Sequence, residues 1–149
     1  MNKVLNYIKI NELISTSGQL KPEQFKQIAE DGFEVIINLA PYNTSNALEN
    51  EDKIISDLDM AYFHIPVDFE NPKTSDLKLF LNTMQALGAN KVWVHCAKNY
   101  RVTAFMYVCH KYILKTPFEN IDLSMFEHWT PNERWQELMK IDYDELYKA

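Results

Sequence analysis

Lys91-Val92-Trp93-Val94-His95-Cys96-Ala97-Lys98-Asn99-Tyr100-Arg101-Val102-Thr103-Ala104-Phe105 is the stretch that decides the fold. An apolar run, Val92-Trp93-Val94, reads as a buried strand. It leads into His95 and Cys96, and a long apolar helix follows Arg101. A thiol is thereby placed at the carboxyl edge of a strand, facing the amino end of a helix. Such an end carries unpaired N–H groups and the positive pole of the helix dipole. It favours a thiolate and a bound oxyanion alike.

Alternation continues on both sides of this stretch. Tyr7–Ile10 and Leu13–Ser15 are short strand candidates. Pro22 opens a helix with Phe25, Ile28 and Ala29 on one face, and Gly32 is its C′ stop. Residues 34–39 and 62–67 read as strands. Asn46 and Glu49 read as a capping pair for a helix carrying Leu48, Ile55 and Leu58. Leu77, Phe80, Leu81, Met84 and Leu87 form a helical stripe ended by Gly88. The helix after Arg101 carries Val102, Phe105, Met106, Cys109, Tyr112 and Ile113, and is apolar on most faces. A further helix is predicted over 118–127. Thr130, Pro131 and Glu133 read as cap, first helical residue and capping-box acid. The expectation is an α/β fold: one domain over residues 1–149, with a mostly parallel central sheet flanked by helices. Ligands in such sheets bind beyond the carboxyl ends of the strands, where the Cys96 loop lies.

A chain of 149 residues suits one sizeable core, and 46% apolar with 24% charged residues is ordinary for a globular protein. The net charge of −6 and the absence of any Lys/Arg block argue against nucleic acid as a partner. An anionic substrate stays compatible, since a local site can be positive on an acidic surface. The two cysteines, Cys96 and Cys109, give neither a zinc pattern nor a disulfide framework, and the four histidines form no ligand cluster. No metal or other cofactor is expected. Residues 1–7 lack a signal-peptide core and no apolar run is long enough to span a membrane. The expected compartment is the cytoplasm, unless a leader has been removed. Oligomeric state is open.

The loop resembles the signature of the protein tyrosine and dual-specificity phosphatases: His-Cys, five residues, Arg, then Ser or Thr. More of the chain is similar to a bacterial phosphatase-like branch of that superfamily, related to the beta-lactamase hydrolase-like proteins. The branch resemblance includes Ser15-Thr16-Ser17-Gly18-Gln19-Leu20 with Pro22, Val35-Ile36-Ile37-Asn38-Leu39 and His64-Ile65-Pro66-Val67-Asp68. There are departures. Only four residues separate Cys96 from Arg101, no glycine lies in the loop, and Val102 follows the arginine, with Thr103 one position later.

The resemblance implies phosphomonoester hydrolysis through a phosphocysteine. Cys96 would be the nucleophile, whereas Cys109, on the apolar stripe, reads as core. Arg101 would hold two oxygens of a phosphoryl group with its planar fork. A purely structural arginine there would oppose the helix dipole. The backbone of Ala97, Lys98, Asn99, Tyr100, Arg101 and Val102 would supply N–H donors. Asn99 is the best non-glycine candidate for the positive φ that such loops need. Lys98 either adds charge at the mouth or is simply solvated. Tyr100 either lines the rim or packs on a neighbour. His95 and Thr103 would stand behind the loop, although His95 also reads as a plain core histidine.

Asp68 would be the general acid, with Glu70 and Asp76 as weaker alternatives. An equal alternative is that Asp68 caps its own turn before Pro72. Trp93 reads as sheet packing, and Trp129 and Trp135 as seals for the C-terminal helices. Two rival functions stay open. The loop length also fits a rhodanese-like sulfurtransferase. The missing glycine and Ser/Thr fit a phosphate-binding module without turnover.

Overall fold

In a computed structural model describing residues 3–147, the signature strand lies in the middle of a five-stranded sheet. The strands are β1 (Ile8–Lys9), β2 (Ile14–Ser17), β3 (Val35–Asn38), β4 (Ala61–His64) and β5 (Val92–His95). Their order is β1-β2-β5-β3-β4. Only the β1–β2 pair is antiparallel; β5 runs parallel to β2 and β3, and β3 parallel to β4. The mostly parallel α/β architecture read from the sequence is therefore present. Residues 1, 2, 148 and 149, part of the single-domain span, lie outside the described residues.

Among the described residues six α-helices flank the sheet: α1 (Pro22–Glu30), α2 (Glu51–Asp57), α3 (Thr74–Ala86), α4 (Tyr100–Cys109), α5 (Glu133–Met139) and α6 (Tyr143–Tyr147), and a π-helical turn, His110–Leu114, continues α4 through Tyr112 and Ile113. Period-2 alternation along the strands divides the core in two. Val35, Ile37, Val92, Val94 and Cys96 pack with α3, α4, α5 and α6. Ile36 and Trp93 pack with Phe25 and Ile28 of α1 and Ile55 of α2. Gly32, at φ 93°, ends α1 as expected from its sequence position.

Three expected boundaries are corrected. Asn46 does not cap a helix: Asn50, in a left-handed conformation at φ 58°, precedes α2, which begins at Glu51 and leaves Leu48 outside. Residues 118–127 form two short 3₁₀ turns, Phe118–Asn120 and Ser124–Glu127, rather than a helix. Between them Asp122 Oδ1 accepts from the Ser124 N–H at 2.9 Å, a local bond that competes with helical pairing. The cap of α5 is Asn132, not Thr130, because the Asn132 side chain accepts from the Trp135 N–H at 3.0 Å.

Candidate active site

Cys96 follows the last residue of β5 and is fully buried. It shares a cavity of about 300 Å³ with Thr44, Ser45, Phe69, Ala97, Lys98, Tyr100 and Arg101. Cys109 lies elsewhere, on α4 within the apolar core, where burial pushes its thiol up to about 12.

The turn from β5 into α4 depends on Asn99. It precedes the first helical residue at φ 69° and ψ 13°, the left-handed conformation expected of it. Its Nδ2 donates to Asn6 O at 2.8 Å and to Thr16 Oγ1 at 3.2 Å, and its Oδ1 accepts from Thr103 Oγ1 at 3.5 Å. An asparagine can hold this shape without glycine because its short amide bonds to nearby groups. Thr103 thus stands behind the loop, against Asn99.

The carbonyls of the loop are engaged one after another. Cys96 O accepts from His95 Nδ1 at 3.2 Å. Ala97 O accepts from the Gln19 N–H at 3.1 Å and from Asn46 Nδ2 at 3.0 Å. Lys98 O accepts from Asn6 Nδ2 at 2.9 Å, and Asn99 O from the Thr103 N–H at 3.1 Å. Among the described residues, none of the N–H groups from Ala97 to Val102 has a protein acceptor. Gly18 permits this arrangement: a Cβ there would stand 2.8 Å from Ala97 O.

Arg101 is 7% exposed, and its Nε has no hydrogen-bond partner among the described residues. Its guanidinium lies over the Phe69 ring, 5.1 Å from the centroid. The cation therefore sits beside Cys96 with donors to spare, rather than in a surface ion pair. Lys98 is exposed at the mouth. Tyr100 lines the cavity and also stacks on Trp129 at 5.4 Å, so both expected roles are met at once.

Asp68 is brought near this site but not into it. It is exposed, and among the described residues the cavity is lined by its neighbour Phe69 instead. Asp68 Oδ1 accepts from the Glu70 N–H at 2.9 Å, the turn-capping arrangement. Asp76 sits in the first turn of α3, where burial pushes its carboxyl up.

Several residues of the site carried no local signal. Phe69 is held by Trp135, whose indole donates to Phe69 O at 2.7 Å. Trp129 and Trp135 do pack the C-terminal region, but they also brace the site. Trp93, as expected, is buried in the sheet, and its indole donates to Ser17 Oγ at 2.8 Å. Behind the loop, His95 Nε2 meets Glu51 Oε2 at 2.7 Å, and Gln19 Nε2 donates to Glu51 Oε1 at 2.6 Å. Burial alone would raise the Glu51 carboxyl. The hydrogen bond and charge of His95, with bonds from Gln19 and Tyr62, outweigh it and hold Glu51 below its ordinary value.

Comparison with solved structures bears on this geometry. The chain is similar to the protein described as "Putative phosphatase (DUF442)" from Shewanella putrefaciens CN-32. The two share 29% identity over 91% of this chain and 89% of that one, with a TM-score of 0.84. The chain has the protein tyrosine/dual-specificity phosphatase fold. The same fold appears in the core catalytic domain of the PP-IP phosphatase SIW14 from S. cerevisiae, solved with citrate. There the identity is 15% over 97% of this chain and 91% of that one, with a TM-score of 0.70. Kinase associated phosphatase, with its catalytic-site cysteine replaced by serine, gives 10% identity over 100% of this chain and 99% of that one, with a TM-score of 0.76. No protein-family model matches the chain, and no curated protein matches it. Among the described residues no helix is long and apolar enough to cross a membrane, and no three His, Cys, Asp or Glu residues gather as a metal site.

Proposed function

We propose that this protein is a cysteine-dependent phosphomonoesterase. One observation carries the reading: the loop's N–H groups lack protein acceptors, while its carbonyls are held elsewhere, around a cavity containing Cys96 and Arg101. Donors arranged in this way suit three oxygens of a phosphoryl group.

Cys96 Sγ attacks phosphorus, forming an S–P bond as the ester P–O bond breaks. Arg101 takes two non-bridging oxygens through its fork, and the N–H groups from Ala97 to Val102 take the remaining charge. Asp68 gives its proton to the leaving oxygen. It then draws a proton from water, which attacks phosphorus and releases Cys96 and inorganic phosphate. Asp68 belongs to the same segment as Phe69, whose ring lies over Arg101, and would have to turn from its contact with the Glu70 N–H to reach the leaving oxygen. The substrate is a phosphate monoester, and the step uses no metal. The phosphatase neighbours support this reading over sulfur transfer.

An activated aryl phosphate and a poorer alkyl phosphate test the mechanism with chelator present. The expected result is metal-independent hydrolysis that Cys96→Ser abolishes. Asp68→Asn should slow the alkyl ester by about a hundredfold or more and the aryl ester far less, because a poor leaving group needs the proton. Hydrolysis surviving in Cys96→Ser would overturn the phosphocysteine. An equal effect on both esters would remove Asp68 from the acid role. Phosphate binding without turnover would identify a binding module. Conversion of thiosulfate and cyanide, with phosphate esters untouched, would identify a sulfurtransferase.

A further inference from the structure

His95 is fully buried, and its ring has two polar contacts. Nδ1 lies 3.2 Å from the Cys96 carbonyl, and Nε2 lies 2.7 Å from Glu51 Oε2. A carbonyl oxygen can only accept. An ionised carboxylate can also only accept. A neutral imidazole has one N–H and would direct a lone pair at one of these oxygens. With Glu51 ionised, both contacts are satisfied together only when both nitrogens carry hydrogen.

We propose that Glu51 is a positioning residue of the Cys96 loop. It holds His95 protonated on both nitrogens, so that the imidazolium donates to the Cys96 carbonyl and adds a positive charge behind the anion site. The inference deepens the phosphatase reading and rests on it for the identity of the anion. The state of the ring itself does not depend on turnover.

The surroundings fit this role. Glu51 is 5% exposed, and its second oxygen is taken by Gln19, so the carboxylate cannot swing away without losing a partner. It is held below its ordinary value, which keeps it an acceptor at neutral pH. From α1, the edge of Phe25 covers the imidazole at 5.8 Å. The other titratable groups on this side line a cavity of about 370 Å³ with Glu51: Tyr42, Asp52, Tyr62 and His64, of which Tyr42 is largely exposed. Burial, and then the charge of Glu51, push the Tyr62 hydroxyl upward, so it faces the pair as a neutral group. His64 stacks on Tyr62 and meets Ala40 O at 2.6 Å. Asp52 is exposed on α2. Among the described residues, Glu51 is the only acidic group with a hydrogen bond to the His95 ring.

The consequence for the loop is directional. A donor at Nδ1 anchors the Cys96 carbonyl on the α1/α2 side of the sheet. The next peptide then follows the turn in which Ala97 O and Lys98 O are also engaged. A neutral ring would release the first of these anchors.

Nitrogen-15 NMR of the histidine rings in wild type, Glu51→Gln and Glu51→Asp reads the protonation directly. Sulfate binding by calorimetry, in a Cys96→Ser background, reads its effect; sulfate keeps a constant charge over the range used. His95 should show two protonated nitrogens in the wild type from about pH 6 to 8, where free imidazole changes state. In Glu51→Gln it should become a neutral tautomer within that range. Sulfate affinity should then fall about tenfold or more as pH rises, since one charge within about 12 Å is worth at least that factor at an effective dielectric constant of about 20. The wild-type pair should stay flat, and Glu51→Asp should restore double protonation.

A neutral His95 in the wild type at pH 7 would overturn the proposal. So would a Glu51→Gln ring that keeps both protons. Should Glu51→Gln fail to fold, the wild-type and Glu51→Asp spectra still decide. If the ring behaves as stated but no phosphate ester is hydrolysed, the phosphatase reading fails and the Glu51 assignment stands.

Discussion

The two faces of β5 have different contents. On one, Val92, Val94 and Cys96 point into an apolar cluster with Leu77, Phe80 and Phe105. On the other, Trp93 and His95 meet hydrogen-bonding partners: Ser17 for the indole, Glu51 for the imidazole. The proposed nucleophile lies on the side of the apolar cluster, and the His95–Glu51 pair lies on the other. A buried thiol needs few partners, whereas a loop that must present N–H groups needs its carbonyls held. The strand's period of two separates these tasks without separating the residues in sequence.

Breaking the division at its charged end should have the largest effect. Arg101→Ala removes the guanidinium and the fork and should lower kcat/KM by about a thousandfold or more. Arg101→Lys should recover only part of this, because a lysine offers charge without the planar pair of donors. Steady-state kinetics on an aryl phosphate make the comparison. Full activity in Arg101→Lys would mean that charge alone suffices.

The turn itself gives a smaller effect, read as stability. Asn99→Ala places a β-carbon in the left-handed region and removes the bonds to Asn6 and Thr16, and should cost about 2–3 kcal/mol. Asn99→Gly tolerates the same φ and loses only the bonds, at about 1 kcal/mol. Urea denaturation of the two variants separates conformation from bonding, and equal losses would show that the positive φ carries no strain.

Acid should touch the polar face first, with the smallest effect of the three. The Glu51 carboxyl is lowered in the folded chain, since the bonds and charge of its partners outweigh burial. Its contribution to stability is therefore complete above the ordinary value of 4.5 and is lost as pH falls through the lower folded value. The stability difference between wild type and Glu51→Gln, followed by urea titration, should shrink as pH is lowered through that window. A constant difference would remove Glu51 as its source.

What could be read from the sequence was local. A strand running into Cys96, a helix beginning at Arg101, the left-handed Asn99 and the stop at Gly32 all follow from neighbouring residues, and the structure contains them, with α4 starting one residue earlier at Tyr100. The partners of the loop could not be read. Glu51 has the sequence context of a first-turn acid, favoured by the helix dipole whether or not it touches anything else. Phe69 and Trp135 are 66 positions apart. Asn46 had the spacing of a cap, yet its amide serves Ala97 O. Phe118, Ile121 and Met125 also recur at helical spacing, and the turn at Asp122 defeats that pattern.

The pairing of Asn6 with the loop has a temporal side. Asn6 donates to Lys98 O and accepts from Asn99 Nδ2, and these partners stand 92 and 93 positions along the chain. Gly18 N–H bonds to Leu5 O in the same strap, and Gln19 reaches Ala97 O. Contacts of such separation close a long stretch of chain before they return any energy. During synthesis the strap emerges well before the segment it clasps. The Cys96 turn therefore belongs among the last parts of the molecule to assemble, and a chain released short of α4 would lack the clasp altogether.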